Sequence, residues 1–204
     1  MVTLLLIRHG ENDFLKQGLL PGQLPGIPLN ERGQAQAVAL AEGLKGLPIK
    51  AIYVSPLERA VETAEPLARA LNLGIQLRPN LMDADVGEWT GKEIRKLRKL
   101  ALWKQNQERP AQARFPGGET VARQQERIIA EINSISAAHK KDMVAVVFHA
   151  DPIKLAIGHY IGLPLDNFQK MSIDPGSVSI LEVGPRGAQL IALNLKPPFS
   201  FSKL

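Results

Sequence analysis

The sequence predicts an α/β protein, a three-layer α/β/α sandwich built on a mostly parallel central sheet. Two short apolar runs, at residues 2–7 and in "MVAVVF" at residues 143–148, lack the alternation of a half-exposed strand and read as strands buried on both faces. Between and around them lie segments of helical periodicity bounded by capping residues. Strand and helix signals alternate along the chain, which calls for crossover connections and therefore parallel pairing.

Taken in order, the first strand ends in "RHGEN" and gives way to a loop rich in Pro and Gly. Asn30 is placed to cap a helix that runs to about Leu44 and stops at residues 46–48. "AIYV" is the next strand. It feeds "SPLERAVETAEPLARALNLG", where Ser55 is the expected N-cap, Pro56 suits the first turn and Gly74 the end. Pro66 predicts a kink or break in that helix. A strand at residues 75–78 follows, then a basic helix in "GKEIRKLRKLALWKQNQER", then a helix opening near "PGGET" and continuing towards Ala138. After "MVAVVF" a short helix spans residues 152–161. Residues 178–183 and 189–193, separated by "GPRG", form a terminal hairpin. The chain has no internal repeat, low-complexity stretch or interdomain linker, so residues 1–204 read as one domain.

Composition narrows the function. With 45% hydrophobic and 22% charged residues, the 204-residue chain has the balance of a globular domain with a substantial core. No apolar run approaches the roughly 20 residues that span a bilayer, and the start lacks a secretory signal pattern, so a cytoplasmic protein with no membrane partner is expected. The chain has no cysteine, which removes disulfides, thiolate metal sites and cysteine nucleophiles. Lys and Arg outnumber acids 25 to 20, and that balance favours an anionic partner. Part of the excess sits in Lys92, Arg95, Lys96 and Lys99, read first as a solvated helix face and second as a rim attracting phosphate. Nucleic acid ranks below both, because no aromatic interleaving or binding motif accompanies these residues.

Ligand sites in such folds lie at the carboxyl ends of the strands. Arg8 and His9 follow the first strand and His149 follows "MVAVVF", so two histidines are expected to share one crevice. "RHGEN", "PLNERGQAQA", "SPLERAVETA", "DVGEWTG", "PGGET" and "HADPIK" occur in an order that resembles the histidine phosphatase superfamily, also called the phosphoglycerate mutase-like fold. The resemblance spans nearly the whole chain. It implies a phosphoryl-transfer enzyme in which His9 is the nucleophile, forming a phosphohistidine, while Arg8, Arg59 and His149 bind the phosphoryl oxygens.

The chemistry is consistent with that resemblance. A phosphoryl group in transfer spreads charge over three oxygens, and catalysis is largely positioning and charge stabilisation. Arg8 and Arg59 offer planar forks that lysine does not reproduce. His149 is expected to donate another hydrogen bond, as a cation. These groups already supply neutralising charge, so no metal and no cofactor is invoked. Gly10 is expected to let the backbone turn beside the phosphate. Asn12 and Ser177 are supporting candidates for substrate binding, and Glu11 for orienting the arginine or histidine. His139 and His159 read as capping or packing residues.

Ester cleavage also needs a proton for the departing alkoxide. In related sequences a glutamate in a pattern like L-x-E-x-x-x-G supplies it, whereas "LMDADVG" puts Asp83 there, about one methylene shorter. Asp83 ranks first as proton donor, Asp151 second and Asp85 third; a capping role for Asp151 at the helix starting at Pro152 is an equal reading. Gly26 also departs from the resemblance, standing where relatives carry an aspartate. No basic, proline-rich segment of the mutase type lies between Gly91 and Phe115, so hydrolysis of a small phosphorylated metabolite is the first reading. Mutase-type transfer and a phospho-ligand binding module without turnover are the alternatives. The terminal "SKL" matches a peroxisomal address and is read as coincidence; oligomeric state is left open.

Overall fold

The computed structural model describes residues 1–199, so the "SKL" terminus lies outside the described residues. Six strands form one sheet: β1 (Val2–Arg8), β2 (Ile49–Val54), β3 (Ile75–Leu77), β4 (Met143–Phe148), β5 (Val178–Gly184) and β6 (Gly187–Leu195). Their order is β3-β2-β4-β1-β5-β6. β1 to β4 are parallel, and β5 and β6 add an antiparallel edge. The helices are α1 (Asp13–Lys16), α2 (Glu31–Leu44), α3 (Glu58–Leu71), α4 (Ile94–Leu97), α5 (Ala101–Glu108), α6 (Val121–Ala138) and α7 (Ala150–Tyr160). Among the described residues no helix is long and apolar enough to cross a membrane.

The uninterrupted apolar character of β1 has a direct cause. Successive side chains leave a strand on opposite faces, and both faces are covered. Leu4 and Leu6 pack with Ile128 and Ile132 of α6 and Ile153 and Ile157 of α7. Leu5 and Ile7 pack with Leu40 and Leu44 of α2 and Ala64 and Leu67 of α3. Each fully buried aliphatic side chain contributes roughly 2 kcal/mol of apolar transfer.

Several local expectations give way to tertiary structure. α3 begins at Glu58 with Leu57 in the cap position, so Ser55 is not its cap. The helix runs unbroken through Pro66, whose half-exposed side leaves the lost hydrogen bond open to water while Ala64, Leu67 and Ala68 hold the other face. It closes on Asn72 in the left-handed region (φ 53°), two residues before Gly74. The basic segment is two short helices, α4 and α5. Leu97 and Trp103 are six residues apart and would point about 120° apart on one straight helix. The break at extended Leu100 lets both pack in the cluster around Trp89. α7 starts at Ala150 with His149 at its cap, two residues earlier than expected, which places Asp151 in the first turn and not at the cap.

Candidate active site

Register builds the centre of the site. Arg8 pairs with Phe148 at the ends of β1 and β4, so His9 and His149 leave the sheet side by side. The His9 N–H donates to the Phe148 carbonyl at 3.0 Å, and the two imidazoles stand 5.1 Å apart between centroids. Val54 pairs with Val147 one strand over, and the Ser55 N–H donates to the Val147 carbonyl. That delivers the Ser55 hydroxyl to 2.8 Å from His149 Nε2. Ser55 is therefore a partner of His149, a role its sequence position before Pro56 disguised as capping.

His9 has a defined tautomer. Its Nδ1 lies 2.7 Å from the Gly10 carbonyl, and a carbonyl only accepts, so Nδ1 carries the proton and Nε2 carries the lone pair. Burial, then Arg8 and Arg59, hold this imidazole well below its ordinary titration range. The ring is neutral, with an unprotonated Nε2. His149 is pushed the same way by burial first, then by Arg59 and His9.

Gly10 has a packing reason that differs from the expected one. A Cβ there would stand 2.7 Å from the Gly33 carbonyl of α2, and a Cβ on Gly33 would collide with Glu11. The two glycines let α2 cross directly against the chain leaving β1. Thr63 of α3 adds a tie: its hydroxyl accepts from the Gly10 N–H at 2.9 Å and donates to the Arg59 carbonyl at 2.6 Å. Nothing in "VETA" marked Thr63 for that task.

Arg59 is fully buried in the first turn of α3, and its Nη2 donates to the Gly22 carbonyl at 2.7 Å. Arg8 Nη1 donates to the Ile173 carbonyl at 2.6 Å. Each keeps a buried Nε–H without an acceptor in the protein, as do Asn12 Nδ2, His149 Nδ1 and the Ser177 hydroxyl. Asn12 uses its oxygen to cap α1 through the Leu15 N–H, which leaves its amide nitrogen free to donate. Ser177 immediately precedes β5, and its carbonyl accepts from the Arg8 N–H. Buried donors without acceptors are costly, and this set matches the acceptor-rich surface of a phosphoryl group. Glu11 serves neither Arg8 nor His9; its carboxylate takes Asn30 and Arg32.

Asp83 reaches this centre despite its short side chain. Its Oδ2 lies 3.6 Å from Arg59 Nη2 and 3.7 Å from His149 Nδ1, while Oδ1 accepts from the Ala84 N–H. Burial raises the carboxyl above its ordinary range and Asp151 acts in the same sense, with Arg59 opposing. Asp151 itself binds Lys154 at 3.1 Å and Gln169 at 3.3 Å and lines the cavity beside Arg8. Asp85 is exposed; its carboxylate accepts from the Gly87 N–H and its side lines a surface groove away from the histidines.

Beside Arg8 opens a cavity of about 490 Å³, walled by Trp103, Phe115 and Phe168 and by the amides of Asn106 and Gln124. Gln124 is buried, and its Nε2 has no partner in the protein. Arg98 is the basic side chain of that segment on the wall, whereas Arg95 and Lys96 pair with Glu93, and Lys92 and Lys99 are exposed. His139 bonds Tyr53 and Asp142, and His159 stacks edge-on against Tyr160, both away from the site.

The model of the Histidine phosphatase superfamily (branch 1) matches residues 4–196, a span that contains every group just described. The chain belongs to that superfamily. It is 30% identical over 200 residues to phosphoserine phosphatase 1 of Hydrogenobacter thermophilus, covering 96% of this chain and 93% of the relative. It is 27% identical to the 2,3-bisphosphoglycerate-dependent phosphoglycerate mutase of Thermoplasma acidophilum, covering 90% and 88%. The crystal structure of the alpha-ribazole phosphatase from Shigella flexneri superposes with a TM-score of 0.85 at 27% identity, covering 95% of this chain and 96% of that one. Its relatives thus include proteins named as phosphatases and a protein named as a mutase.

Proposed function

We propose that the protein is a metal-independent phosphomonoesterase that hydrolyses a small phosphorylated metabolite through a phosphohistidine on His9. The observation that carries the reading is the His9 tautomer: Nδ1–H is tied to the Gly10 carbonyl, so the lone pair on Nε2 is available to attack phosphorus. As the N–P bond forms, the P–O bond to the alcohol breaks, and Asp83 gives its proton to the departing oxygen. The Asp83 carboxylate then takes a proton from water as that water attacks phosphorus, the N–P bond breaks, and its electron pair returns to Nε2. Arg8, Arg59, Asn12 and neutral or protonated His149 bind the phosphoryl oxygens throughout, and Ser177 supports the same oxygens.

Asp83 is the acid of choice because it lies within 4 Å of both Arg59 and His149 and holds its proton more tightly than an ordinary aspartate. Asp151 already neutralises Lys154. The alcohol half of the substrate occupies the cavity beside Arg8. Its aromatic walls and amides suit an alcohol with both apolar and hydrogen-bonding surface.

Phosphate release from a chromogenic ester in the presence of chelator tests the reading: steady turnover that disappears in His9→Ala supports it, and ligand binding without turnover sinks it. The relative named as a mutase keeps phosphoglycerate isomerisation as a second reading. Isomerisation that depends on a bisphosphorylated primer would favour that reading over hydrolysis.

A further inference from the structure

The segment that carries Asp83 has little regular structure of its own. A single 3-10 turn, Pro79–Leu81, is followed by irregular chain up to the turn at Gly87–Trp89. Its position is set instead by one side chain of α6. Arg127 Nη1 donates to the carbonyls of Asn80 and Met82, both at 2.8 Å, and Nη2 donates to the carbonyl of Asp83 at 2.8 Å. The same guanidinium holds Glu119 in a two-point contact, Nε to Oε2 at 3.1 Å and Nη2 to Oε1 at 2.8 Å. All five N–H groups of the fork are thereby used.

Glu119 continues the clamp. Its Oε1 accepts from the Asp85 N–H and its own N–H donates to the Asp85 carbonyl, both at 3.0 Å. Gln23 adds a third hold, donating to the Asp83 carbonyl at 2.9 Å. The loops also interlock sterically: a Cβ on Gly118 would strike the Asp85 carbonyl, and one on Gly87 would strike the Pro116 carbonyl. Consecutive carbonyls around Asp83 are therefore fixed while its carboxyl Oδ2 is left facing Arg59 and His149.

We infer that Arg127, braced by Glu119, is a positioning residue for the proton donor: it sets the backbone of residues 80–83 so that a short aspartate reaches the leaving oxygen. The inference rests on Asp83 being the acid of the proposed phosphatase reaction. Arg127 touches no reacting atom; it acts through the Asp83 carbonyl. The requirement is stringent, because displacement of a catalytic group by about 1 Å can cost on the order of a hundredfold in rate. A lysine at 127 would supply charge without the fork that spans three carbonyls and a carboxylate.

The test compares wild type, Asp83→Asn, Arg127→Ala, Arg127→Lys and Glu119→Gln on a series of phosphomonoesters from 4-nitrophenyl to simple alkyl. A good leaving group departs without a proton and a poor one does not, so only the latter reports on acid placement. Read as kcat/KM, which ends at the first phosphoryl transfer and leaves out hydrolysis of the phosphohistidine, Arg127→Ala is expected to lose about a hundredfold on alkyl esters and little on the nitrophenyl ester. Arg127→Lys should fail to rescue, and Glu119→Gln should show a smaller loss of the same pattern. Retained nitrophenyl kcat/KM certifies the fold of the Arg127 and Glu119 variants, and Glu119→Gln carries the test if Arg127→Ala does not fold. An equal loss on every ester, or full alkyl activity in both Arg127→Ala and Glu119→Gln, overturns the inference while a leaving-group-dependent loss in Asp83→Asn keeps the acid assignment. If Asp83→Asn shows no such dependence, the acid assignment falls and the inference falls with it.

Discussion

The two halves of the site are held in place by different kinds of structure. His9, His149 and Ser55 stand at the ends of adjacent parallel strands, and the pairs Arg8 with Phe148 and Val54 with Val147 fix their spacing through the sheet ladder. Asp83 stands on irregular chain and is located by Arg127, Glu119 and Gln23. Backbone register positions the half proposed to hold the nucleophile, and side-chain hydrogen bonds position the half proposed to supply the acid. The first half is as rigid as the core beneath it, whereas the second depends on a few polar contacts that one substitution can release.

That contrast is sharpest for His9→Ala. Loss of the nucleophile should lower activity by roughly a thousandfold or more on every ester, good or poor leaving group alike, in a steady-state assay. A leaving-group-dependent loss would place His9 in the acid half and break the comparison. Arg59→Lys comes next. It removes a fork that binds Gly22 and faces Asp83, and kcat should fall about 10²- to 10³-fold, the range for losing a preorganised charge-stabilising donor. Wild-type activity in that variant would show that Arg59 is a structural cation only.

The pH profile separates the halves without mutation. His9 must be neutral to attack and is held well below the ordinary imidazole range, so activity should persist as pH falls through about 6.5. In the first step Asp83 must be protonated, and it is held above the ordinary carboxylate range, so with alkyl esters kcat/KM should fall as pH rises through that raised range. With 4-nitrophenyl phosphate that basic limb should vanish. The nitrophenyl ester loses its second proton at lower pH than an alkyl ester, so each profile is corrected for the measured titration of its own substrate before the two are compared. The smallest effect is expected from Ser55→Ala, which removes one hydrogen bond to His149 and should cost about fivefold in kcat, the equivalent of roughly 1 kcal/mol. Unchanged kcat would mean that register alone orients His149.

The same contrast explains what could be read in the sequence. The apolar runs of β1 and β4 predicted strands covered on both faces, and α/β topology then put Arg8, His9 and His149 at one edge. Ser55 was visible only as a helix cap, because a serine before proline suits that role equally well and its bond to His149 depends on the β2 register. Asn72 takes the left-handed cap in place of Gly74, because asparagine also adopts that conformation. Arg127 gave no sequence signal: it is one of 25 basic residues, on an amphipathic helix, and its partners lie 44 to 47 positions away for the loop carbonyls. Contacts set by side chains across irregular chain have no periodicity to reveal them.

The central claim is that His9 Nε2 takes the phosphoryl group. The direct measurement is to mix enzyme and substrate rapidly, quench in alkali, where phosphohistidine survives, and locate the modification by mass spectrometry and phosphorus NMR. The account predicts one phosphoryl group on Nε2 of His9 in wild type, accumulating further in Asp83→Asn with a nitrophenyl ester and absent from His9→Ala. A phosphoryl group on any other residue, or turnover by His9→Ala at the wild-type rate, would contradict it.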